Sequence, residues 1–222
     1  MRKIILSAMA VTLMSTYGHA FTGEQHKVLD LAKAEGLEAQ FPETIQAIAL
    51  QESLAGHIGR HGDIHFKDWK KRSYGVMQVR FTTAKWILHR KFGSHIYTDA
   101  GLLHNLTYND KFNIFVARIY WQYLYNQFRG HDMRWTKSVL AYNAGIGNVL
   151  KHGLSFDPNQ YIKHIHERIK SIRRHKEHVK AYKTSPEVTT DYGRVFAQFH
   201  PVPERERGLS TPDVPYSSPY GF

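Results

Sequence analysis

The 222-residue chain contains no cysteine. That removes disulfides, thiolate metal ligands and a cysteine nucleophile, and it removes the lipid that an exported protein can carry on a mature N-terminal cysteine. Acidic residues are scarce: 19 Asp+Glu face 30 Lys+Arg, a formal charge of +11. Such a balance favours an anionic partner, and charge alone does not choose among nucleic acid, wall polymers and lipid head groups. Beyond the first twenty residues there is no apolar run of the roughly 20 residues a membrane-spanning helix needs. Internal repeats are absent, and no strand pattern of useful length stands out, so the expected fold class is mainly α.

What is present begins with a leader. Arg2 and Lys3 precede an apolar run from Ile4 to Met14, and Gly18 and Ala20 provide the small residues of a cleavage site, the pattern of a secretory signal peptide over residues 1–20. Its removal leaves 28 Lys+Arg against 19 Asp+Glu, a charge of +9. At the other end, six of the eight prolines fall within residues 184–222, among Ser, Thr and Tyr. This composition buries too little surface to offset the entropy of ordering, so a flexible or extended Pro-rich tail is expected there. The domain proper is then 21–183, and it carries the positive charge. Export places the protein in the periplasm, soluble and without a lipid anchor, and argues against a nucleic-acid partner.

Within the domain, Thr22 stands three residues before Gln25, the spacing of a capping box, and a first helix follows as far as Gly36. Pro42 opens a second helix that ends near Glu52. The segment from Leu54 to Arg72 has no clean period and reads as an irregular flap. Helices are expected again over Thr82–Phe92, in the strongly amphipathic stretch after Asn109 closed by Gly130, over Arg134–Ala144, and in a basic final helix with Ile162, Ile165, Ile169 and Ile172 on one seam.

The second helix poses a chemical question. Ala49, Ile48 and Ile45 lie three, four and seven residues before Glu52, so the carboxyl shares their apolar face. An unpaired buried carboxylate costs several kcal/mol, which implies either a cationic partner or a proton retained near neutral pH. The carbonyls ending the helix favour the protonated form as well, and that form is a general acid.

Downstream of "QES" at 51–53 come "SYGVMQV" at 73–79, "AYNAG" at 141–145 and Tyr161 in "QYIKHI". In this order the four elements resemble the soluble lytic murein transglycosylase (SLT) family, whose catalytic domain has a goose-lysozyme-like helical fold; the resemblance covers roughly 37–172. It implies a lyase that cuts the β-1,4 bond between N-acetylmuramic acid and N-acetylglucosamine in peptidoglycan and leaves 1,6-anhydromuramyl ends. It also implies that Glu52 is the sole catalytic acid/base, that Ser73 supports it, that Met77 and Gln78 line the cleft, and that Tyr142, Asn143 and Tyr161 face the glutamate across the groove. No metal or other cofactor is implied, and a monomer is expected. The small domain further resembles members that open the wall for an envelope-spanning secretion, conjugation or phage apparatus, with the tail as the contact.

The chain departs from the family pattern in two places: a longer stretch separates "QES" from "SYG", and Val79, Arg80 and Phe81 follow "MQ" where a proline is usual. Asp63 and Asp68 lie in that longer stretch, and a second carboxylate there would suit a muramidase that adds water. A noncatalytic peptidoglycan-binding protein is the other alternative. Six of the seven site residues also have a structural reading: Glu52 in an ion pair, Ser73 as a turn residue, Met77 as core filling, Tyr142 and Asn143 as a helix end, Tyr161 as a half-buried helix residue. His57, His61 and His65 recur every four residues, but Gly59 and Gly62 break the helix that would align them, so no metal site is expected.

Overall fold

The computed structural model describes residues 21–59, 66–93, 97–157 and 160–184. By its contacts the chain divides into two compact units, 1–176 and 177–222, and the described part of the second is the helical run 177–184. The expected leader and the expected tail after Thr184 lie outside the described residues, as do Asp63, His61 and His65.

Helix α1 spans Gly23–Glu38 and starts where the capping box predicts: the Thr22 hydroxyl accepts from the Gln25 amide at 3.3 Å, and the Gln25 side chain accepts from the Thr22 amide at 2.9 Å. Gly36 does not end it, contrary to the expectation. That glycine is instead the point of closest approach to the next helix, because a Cβ there would collide with the backbone of Pro42.

Helix α2, Pro42–Ser53, begins on its proline and closes with Leu54 in the left-handed region at φ 50°. Every residue from Thr44 to Leu50 is buried, so the apolar stripe expected on one face is an enclosed helix. Its polar side chains reach out to neighbours: the Gln46 amide N–H donates to the Leu29 carbonyl at 3.0 Å, and the Trp135 indole N–H donates to the Thr44 hydroxyl at 3.0 Å, while Gln46 Oε1 is buried without a partner among the described residues. Sealing of this kind fixes the helix that carries Glu52.

A 3-10 turn, Trp69–Lys71, leads into an antiparallel hairpin of β1, Ser73–Tyr74, and β2, Val79–Arg80, with Ser73 opposite Arg80 and Tyr74 opposite Val79. Strands of two residues are too short to show alternation, which is why the sequence gives no sign of them. Then come α3, Phe81–Phe92; α4, Asp99–Tyr108; α5, Asp110–Gln127; α6, Arg134–Ala144; α7, Ile146–His152; and α8, Tyr161–Thr184. The starts of α6 and the ends of α3 and α6 fall where the sequence places them. Helices α4 and α7 are additional; α4 is set by Thr98, whose hydroxyl accepts from the Gly101 amide, and by Leu102 and Leu106 alone on its buried side with Thr107.

The core is continuous through α1, α2, the hairpin, α3, α5 and the first turns of α8, and includes Ile45, Ile48, Met77, Phe81, Ile114, Trp121 and Ile165. Each such side chain contributes on the order of 1.5–3 kcal/mol by burial. Among the described residues no helix is long and apolar enough to cross a membrane.

Candidate active site

Glu52 stands in the last turn of α2, half-buried, behind the fully enclosed residues Ile45, Ile48 and Ala49 of the same helix. The Tyr161 hydroxyl donates to Glu52 Oε1 at 2.6 Å, a contact between residues 109 positions apart. Tyr161 is the first residue of α8 and is only 4 % exposed. Its position is set by Asp157, whose carboxylate accepts from the backbone N–H groups of Tyr161 at 2.8 Å and Ile162 at 3.4 Å. A carboxylate at that end of a helix satisfies its orphan donors and opposes the positive end of the dipole.

Burial, then the charge of Glu52 and the hydrogen bond to it, raises the Tyr161 phenol well above its ordinary value of 10.0. Burial followed by the same charge raises Tyr142 likewise. Both phenols therefore remain donors through the whole range in which a carboxyl titrates. Tyr120, pushed up to about 12 chiefly by burial, packs its ring against Tyr142 with centroids 5.6 Å apart.

The hairpin supplies the facing side. The Tyr142 hydroxyl donates to the Met77 carbonyl at 2.9 Å, which ties α6 to the turn 75–78. Met77 itself is fully buried, so its thioether fills the core and its backbone is what faces Tyr142; the expected cleft contact of that side chain is replaced by packing. Gln78 adopts φ 47° and donates from Nε2 to the carbonyls of Gly59 at 2.6 Å and Gly75 at 2.8 Å, so its amide clamps the flap to the turn. Ser73 is half-buried in β1, and Asn143 is exposed in the last turn of α6; neither side chain makes a hydrogen bond among the described residues. Glu52, Tyr161, Tyr142 and the turn are thus brought together, while Ser73 and Asn143 stand beside them through their neighbours.

Besides Asp157, three positioning residues carry no mark of this role in the sequence. Asn113 of α5, completely buried, accepts from the Met77 amide at 2.8 Å and donates to the carbonyls of Tyr74 at 2.9 Å and Leu106 at 3.1 Å. This one side chain makes three of the bonds that hold the hairpin turn. Gly75, at φ +73°, must be glycine there, since a Cβ would collide with the Asn113 amide and the Leu106 carbonyl. Ser53 donates to the Val76 carbonyl at 2.7 Å and accepts from the Gly56 amide at 2.8 Å, binding the residue after Glu52 to the same turn. The signal available for Asn113 was an amide inside an otherwise apolar helical stretch.

Arg168, two turns after Tyr161 on α8, donates from Nε to Gln51 at 3.4 Å, and burial lowers its guanidinium from the ordinary 12.5. Asp68 is engaged locally: one carboxylate oxygen caps the 3-10 turn at the Lys70 amide, 3.0 Å away, and the other pairs with Lys71 at 3.6 Å. His57 is exposed, and no group of three His, Asp or Glu suited to a metal occurs among the described residues.

A family model described as "Transglycosylase SLT domain" matches residues 31–165. That span runs from α1 into α8 and contains Glu52, the hairpin, Tyr142 and Tyr161. Its lysozyme-like helical character agrees with the mainly α architecture. No curated protein matches the chain.

Proposed function

The chain belongs to the transglycosylase SLT family, whose members act on peptidoglycan, and from that premise we propose that it is a lytic transglycosylase with Glu52 as its single acid/base. The observation that carries the reading is the 2.6 Å contact of the Tyr161 hydroxyl with Glu52. Two influences oppose each other on this carboxyl. Partial burial and the carbonyls at the end of α2 favour the neutral acid; the hydrogen bond from Tyr161 supports the carboxylate. A group that gives a proton and then takes one back needs neither form to be much the more stable.

In the first step Glu52 delivers its proton to the glycosidic oxygen, and the bond from that oxygen to C1 of the N-acetylmuramic acid breaks. In the second step the C6 hydroxyl of the same sugar bonds to C1, and its proton returns to Glu52. Water is neither consumed nor released, and the enzyme ends as it began. Tyr142 and Tyr161 hold the geometry with donors that stay protonated; Ser73, Gln78 and Asn143 border the groove, and Met77 serves through its carbonyl. The exported, periplasmic location and the service to an envelope-spanning apparatus rest on residues 1–20 and 184–222 and belong to the same proposal.

Digestion of purified peptidoglycan followed by mass analysis of the muropeptides tests it. Ends one water lighter than reducing muramyl ends are expected. Reducing ends would replace the lyase by a muramidase, and glycan binding without release of fragments would replace it by a noncatalytic binder.

A further inference from the structure

A sizeable cleft among the described residues lies away from Glu52. It has a volume of about 730 Å³ and is lined by the α1–α2 junction, the end of α3, α5 and the segment leading into α6. A cavity of that size is in the range of ligand sites. From α5 it is lined by Ile119, Gln122, Tyr123 and Asn126, whereas Asn113 and Tyr120 reach the acid site from a different side of that helix.

Its walls combine two chemistries. The floor is aromatic: Phe41 packs on Tyr125 with centroids 4.6 Å apart and on the buried Trp121 at 5.8 Å. Around it stand Arg90, Lys91, Arg129 and Arg134, against the single acid Glu38. Elsewhere in the domain several cations meet carboxylates, as Arg118 meets Glu35 at 2.7 Å and Lys85 meets Asp99 at 2.6 Å. None of the four around the cleft is in an ion pair among the described residues. Arg134 is nonetheless rigid: it donates from Nε to the Tyr125 carbonyl at 2.6 Å, and its guanidinium lies 3.5 Å over the Tyr125 ring. Arg90 lies over Tyr123 at 5.4 Å.

Stacked, pre-oriented guanidinium groups beside an apolar floor suit carboxylates carried on a chain that also offers apolar side chains. A small inorganic anion would leave the floor unused, and a neutral glycan would leave the charges unmatched. We propose that this cleft is a docking site for an acidic, aromatic-containing peptide segment of a partner protein, separate from the groove at Glu52. Charge complementarity sets the encounter and the ring-lined floor sets the fit.

The test is a fluorescence-anisotropy titration of the full chain with a labelled hexapeptide, Glu-Phe-Glu-Glu-Phe-Glu, at low and physiological salt. Saturable binding is expected, about tenfold weaker in the variant Arg90→Ala/Arg129→Ala and unchanged in Lys163→Ala/Lys170→Ala, which removes the same charge from α8. Arg90 and Arg129 are exposed, so the variant should keep its far-ultraviolet circular dichroism and melting temperature. Equal weakening by the two double variants would overturn the site in favour of diffuse attraction. Equal binding of a hexapeptide with serine in place of phenylalanine, or displacement by tripolyphosphate as strong as by unlabelled peptide, would also overturn it. The readout is binding, so failure here leaves the assignment of Glu52 untouched.

Discussion

The two sides of α5 handle polar groups in opposite ways. Toward Asn113 and Tyr120 the polar groups are buried or half-buried and paired with one another: Asn113 holds the turn, Tyr142 holds the Met77 carbonyl, Tyr161 holds Glu52. Toward Gln122 and Asn126 three cations, Arg90, Lys91 and Arg129, are exposed and Arg134 is half-buried, and the four stand without carboxylate partners among the described residues. Chemistry needs the first arrangement, since fixed donors in a poorly solvated place act on a proton without reorganising. Recruitment needs only the second, since exposed charge acts at a distance and weakens with salt. Substitutions should separate the two sides accordingly.

The largest effect is expected at the proton itself. Glu52→Gln keeps the shape of the side chain and removes the transferable proton, and muropeptide release should fall by about 100- to 10,000-fold with the melting temperature nearly unchanged. Full activity in this variant would erase the distinction between the two sides of α5, because the satisfied side would then have no chemical role. Next comes Asn113→Ala, which removes three buried hydrogen bonds and strands the Met77 amide with two carbonyls. A loss of about 3 kcal/mol in chemical denaturation is expected, with activity falling as the turn loosens. A smaller effect is expected for Tyr161→Phe, which deletes one hydroxyl and about 0.5–1.5 kcal/mol of hydrogen bonding. Its pH profile is the sharper readout: the midpoint of the limb assigned to Glu52 should rise, because the carboxylate loses the donor that supports it. An unchanged midpoint would mean that Tyr161 acts only as packing.

How far these sites can be read from sequence follows from how local their causes are. Glu52 was legible because the spacing to Ile45, Ile48 and Ala49 repeats within one helix, and the starts of α1 and α2 were legible because Thr22, Gln25 and Pro42 act on their own neighbours. Tyr161 could be tied to Glu52 only through the family resemblance, since 109 residues separate partners that no local pattern connects. Asn113 and Asp157 escaped notice for a related reason: each satisfies backbone groups whose position the fold decides. Met77 shows the converse, a residue whose motif placed it at the site while its side chain belongs to the core. The cationic cleft was invisible, because residues 38–41, 87–91 and 119–134 meet there only after α1, α3 and α5 have packed.

The smallest predicted effect concerns an exposed ion pair in the framework that holds both sides together. Glu43, in the first turn of α2, receives Arg173 of α8 at 2.7 Å and Lys176 at 3.4 Å. The hydrogen bond from Arg173 is the main cause that holds the Glu43 carboxyl below its ordinary 4.5, with burial opposing it. A carboxyl lowered on folding contributes stability at pH values above its unfolded pKa, and that contribution is lost as the pH falls through the folded one. The link between α2 and α8 should thus be intact at neutral pH and weaken only below about pH 4.5. Arg173 is 62 % exposed, so the pair is screened and its effect on melting should be well below that of Asn113→Ala. Melting temperatures of the parent and Glu43→Gln should converge as the pH is lowered and differ slightly at neutrality. A large difference at neutral pH would mean that an exposed pair supports the position of Tyr161 as strongly as the buried bonds do, and the contrast between the two sides of α5 would no longer follow from burial.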